Sequence, residues 1–163
     1  MVAKRTGSMG DASATSDREI VTTRVFDAPR ELVWKAWTDP KHTAQWWGPR
    51  GFTNTIQEMD VRPGGVWRLI MHGPDGTDYP NKIVYMEVVE PERLVYEHGD
   101  DQDNGLVFHV TVSFVAQGGG KTQVTMRALF DSAAQRDQVV REFGAIEGAN
   151  QTLDRLGEYL AKM

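Results

Sequence analysis

Leu106 to Phe114 reads L-V-F-H-V-T-V-S-F. Leu106, Phe108, Val110, Val112 and Phe114 fall on one side of it, and Val107, His109, Thr111 and Ser113 on the other. A period of two over nine residues predicts a strand with one buried and one wetter face. Val124, Met126, Ala128 and Phe130 repeat the period just downstream. The turn residues Gln117 to Lys121 lie between, so the two runs are expected to pair as an antiparallel hairpin. Working backwards, strand-like runs alternate with turn signals at Asp100 to Gly105, Glu90-Pro91-Glu92, Pro74-Asp75-Gly76 and Pro63-Gly64-Gly65. Phe52 to Phe130 therefore reads as a meander of about six strands, and the β-branched and aromatic stretch Glu19 to Asp27 adds one more.

Helical signals flank this sheet. After Pro29, the residues Leu32, Val33, Trp34, Ala36 and Trp37 recur at helical spacing until Asp39-Pro40. A second short helix from Pro40 carries Trp46 and Trp47 to a stop at Gly48-Pro49. From about Ser132 to Leu160 the chain is free of proline and is expected to form one long helix capped by Asp131 or Ser132. Its seam is Val139, Phe143, Ile146, Leu153 and Leu160, with Asn150 and Gly157 at the two remaining seam positions. The predicted class is α+β: a curved antiparallel sheet wrapped around a long C-terminal helix, with two short helices after the first strand. A twisted sheet and a straight helix diverge, which leaves a gap for side chains or a ligand.

Composition narrows the function. The 163 residues are 40% hydrophobic and 25% charged, ordinary for a globular chain, and fit one domain over residues 19–163 behind a polar leader, residues 1–18, expected to be disordered. Eighteen bases against 23 acids give a formal charge of −5, which disfavours nucleic acid as a partner. The absence of cysteine excludes disulfides, Cys-ligated metal and a thiol nucleophile. No run of 18 apolar residues and no signal-like start appear, so membrane insertion is not expected and the cytoplasm is the default location. His42, His72, His98 and His109 lack ligand spacing, and no Gly-x-Ser-x-Gly elbow occurs. No cofactor, metal or catalytic set is expected. Gly118 to Thr122 resembles the end of a phosphate loop but leads into a strand, and the Asn150-Gln151-Thr152 sequon sits in a helix; neither is read as a site.

The stretch Val25 to Pro49, V-F-D-A-P-R-E-L-V-W-K-A-W-T-D-P-K-H-T-A-Q-W-W-G-P, resembles the signature of domains related to the activator of the Hsp-ninety chaperone ATPase. These form a branch of the START-like (Bet v-like) helix-grip superfamily. The resemblance continues through Pro63 to Arg68, Gly73-Pro74-Asp75-Gly76, Glu87 to Leu94 and Thr152 to Leu160, and covers roughly residues 19 to 161. It implies a helix-grip fold with a deep cavity between the long helix and the concave sheet face. Relatives include lipid and polyketide binders, aromatase/cyclases, self-sacrificing resistance proteins and chaperone co-activators, so the fold alone leaves the activity open.

Strand alternation nominates the cavity wall. Trp67, Leu69 and Met71 share one face, as do Ile83, Tyr85 and Glu87, and Leu94, Tyr96 and His98. If those faces are concave, Tyr85, Tyr96, His98 and Glu87 are the polar handles of an apolar pocket walled by Trp67 and Met71; the alternative is plain core with the polar atoms at its rim. Trp47 is a candidate wall of the mouth, or core. Asn150 requires a partner, because a seam amide left alone costs roughly 1–3 kcal/mol; that partner is a ligand, water or a neighbouring group. Phe143 and Glu147 join it as candidates on the helix.

The expected function is binding of a hydrophobic or aromatic small molecule of the lipid or polyketide class. The alternatives are a stress-response co-activator of an Hsp-ninety-type chaperone, and a cyclase-like enzyme using Tyr85, Glu87 or His98 as acid or base. A monomer and a homodimer are both compatible with this reading.

Overall fold

Seven strands pair into one antiparallel sheet. They are β1 (Glu19–Phe26), β2 (Thr53–Met59), β3 (Val66–His72), β4 (Asp78–Val89), β5 (Arg93–Asp100), β6 (Phe108–Gly118) and β7 (Lys121–Leu129). A computed structural model describes residues 16–100 and 107–163. The sheet order β1-β7-β6-β5-β4-β3-β2 is an unbroken meander from β2 to β7, with β1 added against β7. The predicted hairpin is β6–β7: Val110 faces Ala128, Val112 faces Met126 and Phe114 faces Val124. Gly118, Gly119 and Gly120 turn between them at φ 81°, 64° and 76°, which a Cβ would oppose. The segment that mimicked a phosphate loop is thus the hairpin turn. The turn expected at Asp100 to Gly105 and residue Leu106 fall largely outside the described residues, as does most of the leader. Arg18, expected in the leader, is tied to the sheet, its guanidinium donating to the Phe130 carbonyl at 2.8 Å.

Two short helices follow β1, α1 (Arg30–Thr38) and α2 (Pro40–Trp46). Asp39 separates them with an extended backbone, and its carboxylate accepts from the Lys41 amide at 3.0 Å, capping α2 with Pro40 in the first turn.

The C-terminal segment departs from the expectation of one helix. It is split into α3 (Ala133–Phe143) and α4 (Ala145–Leu160) at Gly144, whose φ of 59° lies in the left-handed region. Ser132 caps α3 as anticipated, its hydroxyl accepting from the Gln135 amide. The break changes the phase of the seam. Phe143 is 68% and Ile146 45% exposed, whereas Thr152, Leu153, Leu156 and Leu160 bury the face of α4. Gly157 is a packing position: a Cβ there would meet the Phe26 ring at 3.4 Å. Gly144→Ala would carry a Cβ in the left-handed region and is expected to lower stability by about 1 kcal/mol, read as a shift in the urea unfolding midpoint.

Candidate functional site

Cross-strand register assembles the inner face of the sheet. One row runs Trp67, Ile83, His98, Phe108, and the next runs Tyr85, Tyr96, Val110, Ala128, Ile20. Trp67, Tyr85 and Tyr96 are each 1% exposed. Against this wall stand Trp37 of α1 and Trp46 of α2, together with Trp47. Ring centroids are 4.9 Å apart for Trp37–Trp46, 5.5 Å for Trp37–Trp47 and 4.8 Å for Trp47–Trp67, all edge-on. Edge-to-face contact is the preferred arrangement of aromatic quadrupoles, so the cluster is both large and orientated. Tyr85 and Tyr96 also meet edge-on at 6.2 Å.

The polar atoms on this face are unusual. Among the described residues, the Tyr85 and Tyr96 hydroxyls and the Trp37 and Trp67 indole N–H groups are buried without a hydrogen-bond partner. Burial raises both tyrosine pKa values far above the ordinary range, and Tyr96 is raised further by the proximity of Tyr85, so both hydroxyls keep their protons at any physiological pH. His98 is different. Its Nε2 meets the Asn81 Oδ1 at 3.0 Å, so that nitrogen carries the proton and donates. Its ring lies 5.0 Å from Phe108 and 6.5 Å from Trp47. Burial lowers its pKa to about 4, and the ring is neutral at pH 7.

This depression has a consequence for stability. The unfolded chain protonates its histidine near pH 6.5, well before the folded one does. The unfolded state therefore binds more protons between about pH 6.5 and 4, and stability falls as the pH is lowered through that window. For this group alone the loss from pH 7 to pH 5 is about 2 kcal/mol. Urea unfolding at both pH values should show it, and His98→Gln should flatten the difference.

Arg155 of α4 ties the Trp47 corner to the helix. Its Nη1 donates to the carbonyls of Trp47, Gly48 and Pro49 at 3.1, 2.9 and 3.0 Å, and Nη2 reaches Gln45 O at 3.4 Å. Sequence reasoning missed this residue, because its acceptors are backbone carbonyls more than a hundred positions away and carry no residue-type signature. A second link joins α2 to α4, where His42 Nδ1 and the Tyr159 hydroxyl lie 2.6 Å apart.

The other candidates divide. Trp46 and Trp47 are both core. Met71 is partly buried and packs on that core, with its Cε beside Gly48. Glu87 points outward, contrary to its expected place beside Tyr85. A bulge between Tyr85 and Glu87 shifts the register by one and flips the alternation, and the carboxylate pairs with Arg93 at 3.0 Å. Phe143 and Glu147 lie exposed around the Gly144 break, away from the inner face; Glu147 accepts from Gln151 at 3.2 Å. Asn150 has found protein partners: its amide donates to Ile146 O at 3.1 Å and its Oδ1 accepts from Arg24 at 3.4 Å. Arg24 in turn pairs with Asp154. That network borders a cleft of about 560 Å³ between β1 and α4, where Phe26 and Leu153 are core residues and Arg50 pairs with Glu158. Among the described residues no group of three His, Cys, Asp or Glu is placed to hold a metal, and no helix is long and apolar enough to cross a membrane.

A seven-stranded antiparallel sheet packed on a C-terminal helix, with two short helices after the first strand and an aromatic inner face, is the helix-grip architecture. The chain belongs to the family described as Activator of Hsp90 ATPase homolog 1-like protein, whose model matches residues 27–161. Solved structures agree. The chain is similar to protein Ms6760 from Mycobacterium smegmatis, at 28% identity over 88% of this chain and 91% of that one, with a TM-score of 0.78. A protein from Arthrobacter aurescens shares 25% identity over 91% and 89% of the two chains, TM-score 0.82. Protein NE0264 from Nitrosomonas europaea shares 26% over 90% and 96%, TM-score 0.79. No curated protein matches the chain.

Proposed function

We propose that this protein binds a hydrophobic or aromatic small molecule of the lipid or polyketide class between the inner sheet face and α4, with Trp47, Trp67, Met71, Tyr85, Tyr96 and His98 around it. One observation carries the reading: among the described residues, the hydroxyls of two neighbouring tyrosines in a mostly apolar wall have no protein partner. A polar group left so in a finished core costs about 1–3 kcal/mol, whereas a ligand site is apolar with a few polar groups held ready. Access requires α3 or the Trp47 corner to move. The helix break at Gly144 and the single buried residue of α3, Val139, favour α3 as the part that yields.

Native mass spectrometry of gently purified full-length protein, followed by identification of any released molecule, tests this directly. A stoichiometric apolar passenger is expected. Added ligand at a hundredfold excess over its Kd should stabilise the fold by about 2.7 kcal/mol. An empty protein unmoved in thermal stability by a lipid and polyketide panel would sink the reading.

The family match favours a second reading, a co-activator of an Hsp90-type ATPase. It predicts stimulation of a bacterial Hsp90-type ATPase on titration, and neither stimulation nor complex formation would remove it.

A further inference from the structure

The inner wall differs from a general apolar pocket in the kind of hydrogen bond it offers. Among the described residues, its unpartnered buried groups are the Tyr85 and Tyr96 hydroxyls and the Trp67 indole N–H. An indole N–H can only donate, and a tyrosine that keeps its proton always has a donor to place. Tyr85 and Tyr96 are direct cross-strand partners, and Trp67 pairs with Ile83, two residues from Tyr85, so the three donors occupy adjoining positions. Among the described residues, the cationic or titratable groups placed on this face or at its Trp47 corner, Arg24, Arg155 and His98, are already engaged. Arg24, which shares the inner face with Val124, is held by Asp154 and Asn150. Arg155 is spread over four carbonyls. His98 gives its proton to Asn81 and is neutral. A carboxylate placed here would be buried without a counter-charge, which is far more costly than burying a neutral oxygen.

Resting on the binding reading above, we infer that the site selects a neutral, flat molecule with a carbonyl oxygen, whose two lone pairs accept from Tyr85 and Tyr96, and that it rejects the corresponding carboxylate. The class is an aryl ketone or quinone-like compound rather than a free fatty or aromatic acid. Recognition comes from the paired hydroxyls; the tryptophans supply the apolar contact and the edge-on packing that holds a planar ring.

Three probes with one ring system separate the possibilities: 2-acetonaphthone, 2-naphthoate and 2-ethylnaphthalene, each titrated into the full chain at pH 7.5 with tryptophan fluorescence as the readout. The ketone is expected to bind about tenfold more tightly than the hydrocarbon, and the carboxylate more weakly than either. Tyr85→Phe and Tyr96→Phe should each lower the ratio of ketone to hydrocarbon affinity towards one. The carbonyl stretch of bound 2-acetonaphthone, measured by infrared difference on the unmutated protein, should move to lower wavenumber, which needs no variant to fold. Equal binding of ketone and hydrocarbon, with an unshifted stretch, means that water or nothing occupies the hydroxyls: the carbonyl preference is then wrong while the apolar pocket stands. Tighter binding of the naphthoate likewise overturns the preference alone. No binding of any probe overturns both the preference and the pocket beneath it.

Discussion

Replacing Trp37 with alanine is expected to lower the stability of the fold by about 4 kcal/mol, the upper part of the range for removing a large aromatic from a core. Trp37 is 1% exposed and meets Trp46, Trp47 and Phe114 edge-on, so it joins α1 to the Trp47 corner and to β6 at once. Each of those contacts loses its partner together, and rings held by one another cannot collapse far into the vacancy. The melting temperature should fall by about 12 °C. Trp37→Phe should lose much less, because it keeps a ring and deletes an indole N–H that has no acceptor. Equal losses in the two variants would show that a phenyl ring recovers none of the edge-on packing at this position.

Arg155→Ala should be next in size, at about 3 kcal/mol. The guanidinium is the donor for the carbonyls of Trp47, Gly48 and Pro49, and burial depresses its pKa without neutralising it. Deleting it leaves those acceptors to find water at a partly buried corner. Arg155→Lys keeps the charge but presents an ammonium in place of a planar fork, and should recover about half of the loss. The readout that separates this residue from ordinary packing is local: hydrogen exchange should quicken around residues 45–52 in Arg155→Ala more than in the remainder of the sheet. Uniform quickening would mean that Arg155 acts on global stability and not on the Trp47 corner.

Much of the architecture was legible because it is written in short-range period. The alternation around Val110 identifies β6 and its inner face, Gly118 to Gly120 identify the hairpin, and Asp39-Pro40 marks the junction of α1 and α2, where the same carboxylate caps the second helix. Trp67, Leu69, Tyr85 and Tyr96 face inward as their spacing predicts. The misreadings arise where one residue changes the phase. A single bulge after Tyr85 turns Glu87 to solvent, and a single left-handed glycine at 144 turns Phe143 and Ile146 outward. A periodic pattern cannot announce such a slip, since the residues before and after it each obey the rule.

The candidate site was legible in part for the same reason. Which side chains share the inner face is a property of strand period, and the tyrosines were found that way. The partners of those side chains are not. Asn150 needed a partner on any reading, and whether Arg24 or a ligand supplied it depended on how α4 crosses β1. By itself the sequence determined an acidic, cysteine-free α+β chain with a strand meander and a helical C-terminal segment, because composition and local period are enough for that, while its helix-grip kind was implied by the resemblance of Val25 to Pro49 to a known family. Only the tertiary structure decided that Arg155 holds the Trp47 corner, that His98 is neutral beside Asn81, and that two buried hydroxyls remain without acceptors. Those properties belong to pairs of atoms brought together by packing across long stretches of chain, and no single residue carries them.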